Sequence, residues 1–162
     1  MNIIIHDRKE LVISNILKDN SMETRVISNN EKIQPCICCF ACWIKTPGKC
    51  IIKDGYDNMG ELLSRCSQLI IVSHCYYGGF SPFVKNVLDR SICPFILPYF
   101  ETKNGETRHP RRYKNEIDYS VHFYGKATES EKETAEKLVK RIAQKQKRTV
   151  CFYNSFEEIK GI

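Results

Sequence analysis

The sequence predicts a single α/β domain in three layers, with a parallel sheet of about five strands between helices. Apolar segments of strand length alternate with segments of helical period along the 162 residues, the pattern of strand–crossover–strand units with right-handed connections. The segment LIIVS, residues 69–73, is apolar at every position but its last, which suits a parallel strand buried on both faces at the centre of the sheet. A chain of this length with 42% apolar residues is sized for one buried core. No internal repeat or low-complexity linker divides it.

Taken in order, residues 2–5 (NIII) form the first strand. A helix follows with Leu11, Val12, Ile16 and Leu17 on one stripe and Asp7 placed to cap it. Residues 24–28 are a weaker second strand, and the cysteine segment then runs as loop to DGYDNMGELLSRC, a helix whose core face is Met59, Leu62, Leu63 and Cys66. After the central strand, Ser81 caps a helix with Pro82 at its first position, burying Phe83, Val84, Val87 and Leu88. Residues 118–124 are the fourth strand. Thr128 and Glu131 make a capping box for a helix facing inward with Ala135, Leu138, Val139, Ile142 and Ala143, and residues 149–153 close the sheet. In such sheets ligands bind beyond the carboxyl ends of the strands, so the informative loops are 6–8, 35–50, 74–80 and 125–127.

The net charge of +6 resides largely in KLVKRIAQKQKR, the end of the last helix, where cations oppose the helix dipole and face water. With no nucleic-acid motif, no DNA or RNA partner is expected. No apolar run reaches the roughly 18 residues of a membrane span and no cationic leader precedes NIII. A cytoplasmic protein is expected, where nine thiols stay reduced and clustered ones serve metals or redox chemistry.

Five of the nine cysteines fall in PCICCFACWIKTPGKC, residues 35–50. Cys36, Cys39 and Cys42 make a CxxCxxC run, and Cys50 follows a Lys-Thr-Pro-Gly-Lys turn that brings the chain back. That is a spacing for ligands, open to three outcomes: a metal centre, zinc included; a redox disulfide between Cys42 and Cys50; or free thiols.

The stretch CICCFACWIKTPGKCIIKDGYDNMGELLSRCSQLIIVSHCYYGGFSPFVKNVLDR, about a third of the chain, resembles the flavodoxin-like family of NAD(P)H-dependent FMN reductases and iron–sulfur flavoproteins, with Lys85, Asp89 and Arg90 matching the family's helix ending. The resemblance implies a flavodoxin-like fold, FMN as cofactor and NAD(P)H as electron donor. It places the flavin ring along Tyr76, Tyr77, Gly78, Gly79 and Ser81, where loop amides can reach the polar edge and an aromatic can stack. The alternative is that the two glycines merely shape a turn and the two tyrosines pack on the sheet edge. Where the family usually has Pro two residues before the Tyr, this chain has His74. The resemblance further implies an iron–sulfur cluster on Cys36, Cys39, Cys42 and Cys50, with Cys38 a bystander.

The departure lies in IIIHDRKELVISN. The family's Gly-, Ser- and Thr-rich phosphate loop is missing, and Asp7 adds a negative charge where a dianion would sit. Arg8, Lys9 and His6 either pair with the phosphate directly or are surface residues on a shortened connection. Residues 93–117 form a long excursion with Phe95, Tyr99 and Phe100, too apolar for water in a monomer, and with Arg108, Arg111 and Arg112, which either meet a phosphate or surround Pro110 as a solvated turn. In related flavoproteins such an excursion covers the flavin or docks a second subunit, so a homodimer or homotetramer is expected. Two functions follow: an FMN-dependent oxidoreductase passing electrons from NAD(P)H to a small-molecule acceptor, with no obligatory catalytic side chain; or a degenerate flavodoxin-like protein without flavin, serving as a metal-binding or interaction module.

Overall fold

The computed structural model describes residues 1–9, 23–30 and 32–162. Its elements, in chain order, are β1 (Asn2–His6), β2 (Thr24–Ile27), α1 (Ala41–Ile44), α2 (Met59–Ser64), β3 (Gln68–His74), α3 (Pro82–Phe95), β4 (Glu101–Lys103), β5 (Glu106–Arg108), β6 (Asp118–Tyr124), α4 (Glu129–Ala143) and β7 (Arg148–Tyr153), then a 3-10 turn, Phe156–Glu158. The helix expected on Leu11, Val12, Ile16 and Leu17 lies outside the described residues. The contacts group the chain into two compact units, residues 1–31, 66–85 and 116–162, and residues 32–65 and 86–115.

The first unit holds a five-stranded sheet in the order β2-β1-β3-β6-β7, parallel at every pairing. Counting only these strands, that is the 2-1-3-4-5 order of a flavodoxin-like fold, which reverses between β1 and β3. β3 sits at the centre, as its unbroken apolar run predicts: Leu69, Ile70, Ile71, Val72 and Ser73 are all buried, as are Ile3, Ile4 and Ile5 of β1. Such residues can be satisfied only between covered faces. One face is closed by the chain's end, where Ile159, Tyr153, Phe156 and Ile162 pack on Ile4, Ile70, Val72 and Tyr124. α4 starts at the expected capping box, Glu131 N–H donating to Thr128 Oγ1 at 3.3 Å and Thr128 N–H to Glu131 Oε2 at 2.7 Å, and buries Ala135, Val139 and Ala143.

In the second unit, Thr46-Pro47-Gly48-Lys49 forms the expected turn, with Lys49 N–H donating to Thr46 O at 2.9 Å and Gly48 at φ +84°. The cysteine segment is not loop throughout, because α1 occupies its middle. A Cβ on Gly60 would stand 2.5 Å from Gly48 O and 2.6 Å from Pro94 Cβ, so α2 begins at a close approach that only glycine permits. The excursion expected over 93–117 begins as helix, since α3 runs to Phe95 and keeps Cys93 in its last turn. Beyond it β4 and β5 pair antiparallel about Asn104 (φ 55°) and Gly105 (φ 77°), the left-handed pair of a tight hairpin turn. The three arginines each have a partner within this unit. Arg108 Nε donates to Glu101 Oε1 at 3.1 Å, Arg111 lies over the Phe95 ring and donates to Asn115 O, and Arg112 Nε donates to Pro94 O at 3.0 Å, taking a carbonyl at the end of α3.

His122 is buried in β6, its Nε2 2.8 Å from Ser120 Oγ and its Nδ1 3.1 Å from Tyr153 Oη. Burial pushes its pKa down to about 4, against about 6.5 in an unfolded chain. Between those values the unfolded chain takes up a proton that the native imidazole refuses, so stability falls as the pH drops through this window. The contribution approaches about 1.4 kcal/mol per pH unit and is absent above the unfolded pKa. Urea unfolding of wild type and His122→Gln across this range should show a shallower acid slope in the variant; equal slopes would remove His122 as a source.

Candidate functional site

At the carboxyl ends of β1, β3 and β6 a cleft of about 910 Å³ opens, lined by Asp7, Arg8, Lys9, Asn29, His74, Tyr76, Ser81, Pro82, Phe83 and Tyr124. It lies at the β1/β3 switch point, where a doubly wound sheet leaves room between diverging loops. Asp7 ties the cleft together. Its Oδ2 accepts from the His74 amide at 2.8 Å and its Oδ1 from the Tyr124 hydroxyl at 2.8 Å, so the residue expected to cap a helix joins the ends of three neighbouring strands. Burial first, and then the Asp7 carboxylate, raise the Tyr124 phenol, which stays a neutral donor. Arg8 lies 5.0 Å over the Phe156 ring, a cation–π attraction.

The loop expected against a flavin ring divides in two. Tyr76 lines the cleft and leans on the His74 ring at 4.5 Å, whereas Tyr77 is 88% exposed and is not part of the lining. Tyr76 and Gly79 bond to each other in both directions, at 3.0 and 2.7 Å, around Tyr77 (φ 51°) and Gly78 (φ 80°). Gly78 serves this turn and a close approach, because a Cβ there would meet Glu131 O at 2.7 Å and Thr134 Cβ at 2.7 Å. Ser81 stands at the cap position of α3, yet its Oγ is buried without a hydrogen-bond partner among the described residues, as is His74 Nδ1. The Ser81 amide is instead held by Ser73 Oγ at 2.8 Å. Two unspent polar atoms beside a half-exposed Tyr76, in a cleft of this volume, suit a flat ligand with a polar edge. An isoalloxazine ring fits those residues. For the phosphate, the described residues offer Arg8 and Lys9, beside Asp7.

The second unit gathers thiols. Cys36, Cys38, Cys39, Cys42, Cys50 and Cys93 line one cavity of about 50 Å³ together with Asp89 and Arg90. Arg90 is 1% exposed; it donates to Gln34 O at 3.2 Å, to Ile52 O at 2.9 Å and to the Asp54 carboxylate. Burial alone would raise the Asp54 carboxyl, but Arg90 and the Gln34 and Tyr56 amides outweigh it and hold it below the usual range. Burial pushes the Cys42 thiol up to about 12, with Cys93 and Cys50 adding to the effect; burial and the neighbouring Cys36 raise Cys93 as well. Among the described residues no three Cys, His, Asp or Glu side chains converge on one ion position. A cluster spreads its ligands, one thiolate to each iron, and the predicted four, Cys36, Cys39, Cys42 and Cys50, all face this cavity with a buried guanidinium to balance their charge. The donor chemistry fits. Cys93 was missed in the sequence; its signal was helical spacing, three residues beyond Arg90 on α3.

A flavodoxin-like sheet with a cleft at its switch point defines a class of nucleotide-binding α/β proteins. The model of the NADPH-dependent FMN reductase family matches residues 11–114, and the chain belongs to that family. It is also similar to an iron–sulfur flavoprotein of Methanocaldococcus jannaschii, 36% identical over 78 residues, which are 48% of this chain and 39% of the relative. The match therefore spans about two-fifths of that relative's length.

Gly78→Ala should destabilise the fold by about 1–3 kcal/mol, since it adds left-handed strain and a collision with backbone. Gly79→Ala, whose Cβ would meet only Tyr76 O at 3.2 Å, should cost less than about 1 kcal/mol. Urea midpoints of the two variants compare them directly, and equal midpoints would show that the approach to α4 relaxes freely.

Proposed function

We propose that this chain is a flavin-dependent oxidoreductase module that holds an isoalloxazine ring in the cleft at the ends of β1, β3 and β6, takes electrons from NAD(P)H and passes them to a small acceptor. The carrying observation is the cleft itself, at the switch point, with His74 Nδ1 and Ser81 Oγ unspent beside Tyr76. Family membership supports the choice of flavin. Bound flavin would supply hydride acceptance and stepwise electron release, chemistry that belongs to the cofactor. The chain's own part is to position: Tyr76 and His74 offer a flat wall, Ser81 and His74 offer polar atoms, and Asp7 holds the loops that carry them. No described side chain is required as acid or base.

Asp7 also sets a preference. Its negative charge stands beside Arg8 and Lys9, so a phosphate dianion entering here meets repulsion as well as attraction. One such pair at about 4 Å is worth roughly 4 kcal/mol at a surface-like dielectric and less with distance. FMN and riboflavin should therefore bind within about tenfold of each other, chiefly through the ring, and Asp7→Asn should shift the ratio toward FMN by about tenfold or more. Fluorescence titration with both flavins measures this, and the ratio is protected from any general loss of fold. FMN-selective binding that survives Arg8→Ala and Lys9→Ala would show that the phosphate is held elsewhere. Failure of both flavins to bind would leave the metal-binding or interaction module.

A second proposal concerns the thiols. Cys36, Cys39, Cys42 and Cys50 would hold an iron–sulfur cluster, supported by their common cavity and by the likeness to an iron–sulfur flavoprotein. In protein prepared without oxygen, Cys38→Ser should leave iron and acid-labile sulfide unchanged while Cys39→Ser lowers both. The opposite pattern would exchange the roles of the two residues.

A further inference from the structure

The far end of the chain reaches the cleft. The family model stops at residue 114, so nothing in that match accounts for the 3-10 turn at Phe156–Glu158. The Phe156 ring meets two residues of the cleft lining. The Arg8 guanidinium carbon lies 5.0 Å over its centroid, and the Tyr124 ring meets it edge-on at 5.5 Å and 77°; both Arg8 and Tyr124 line the cleft. The ring is itself held in place. Ile159 N–H donates to Phe156 O at 3.1 Å and Asn154 N–H to Glu158 Oε2 at 3.0 Å, while Ile159, 3% exposed, sinks into the core beside Ile4, Ile70 and Val72. Arg8 by contrast is exposed. A long exposed side chain with no fixed neighbour spreads over many rotamers, and an anion that binds it must supply the ordering.

We propose that Phe156 is a positioning residue of the cleft: its ring holds the Arg8 guanidinium in the lining, ready for the phosphate of a flavin nucleotide. The assignment rests on the cleft being a flavin site. A ring face attracts a guanidinium through its quadrupole and carries no charge of its own to offset the cation. Asp7 and Phe156 therefore act in opposite directions on the same end of the ligand. The carboxylate repels a dianion, and the ring steadies the cation that attracts it. Riboflavin, which has no phosphate, is insensitive to both effects at that end.

Full-length wild type, Phe156→Leu and Phe156→Tyr would be titrated with FMN and with riboflavin by flavin fluorescence. Leucine keeps apolar packing on the core and loses the ring face; tyrosine restores the face. The ratio of FMN to riboflavin affinity should fall roughly two- to fivefold in Phe156→Leu, the size of an exposed cation–π contact, and return in Phe156→Tyr. Any effect transmitted through Tyr124 is common to both flavins and cancels in the ratio. In an Arg8→Ala background, Phe156→Leu should leave the ratio where Arg8→Ala put it, because the ring acts only through the guanidinium. A ratio unchanged by Phe156→Leu, or one that falls equally with and without Arg8, would overturn the proposal. A flavin-free readout keeps the two readings apart. In protein carrying isotope-labelled arginine, the Arg8 Nε signal, identified by its loss in Arg8→Ala, should move on adding inorganic phosphate and respond less in Phe156→Leu. If wild type binds neither flavin, the flavin reading fails and this phosphate response decides the role of Phe156, equal responses in wild type and Phe156→Leu being the overturning result.

Discussion

The cleft depends on one carboxylate. Asp7 leaves β1 at the point where the sheet order reverses, and its two oxygens bind the backbone after β3 and the phenol that ends β6. Three loops that would otherwise diverge are held by two bonds to a charged acceptor, each stronger than a neutral pair. The same carboxylate stands where a helix start and a glycine-rich loop usually receive an anionic group. Anchoring the loops and the proposed preference against a phosphate thus both trace to one side chain. A neutral isostere would weaken the first while relaxing the second.

The thiol unit has an anchor of the opposite sign. Arg90 is buried, and a buried guanidinium is tolerable only when its donors are met. Gln34 and Ile52 carbonyls and the Asp54 carboxylate meet most of them, which fastens both flanks of the cysteine segment to α3. Arg90 Nε is left without a hydrogen-bond partner among the described residues. A buried cation with an unspent donor beside six thiols favours negative charge in that cavity, the charge that thiolate ligation brings.

The backbone was legible in the sequence wherever pattern alone decides structure. The apolar run of β3, the Ser81-Pro82 start of α3 and the Thr128/Glu131 box each rest on local periodicity or capping, and each stands where expected. The Asn104-Gly105 hairpin was equally legible, an Asn-Gly pair between two Glu-Thr segments, and was passed over within a stretch read as loop. Side-chain partnerships were not legible. Asp7 and Tyr124 are 117 positions apart, and Arg90 and Gln34 are 56 apart, so nothing local announces them. The loop glycines show the limit most clearly: Gly78 fits a flavin-binding pattern, but its lack of a side chain is spent on α4.

Thiol chemistry in the second unit turns on a conflict between burial and ligation. A wall that excludes water keeps Cys42 and Cys93 protonated, whereas metal binding requires thiolates. At rest these thiols are therefore neutral. A metal bound here would offset the cost of deprotonation by binding the sulfur directly. Sequence spacing cannot register this environment, because it counts cysteines along the chain and cannot see that α3 returns a further thiol to the same cavity.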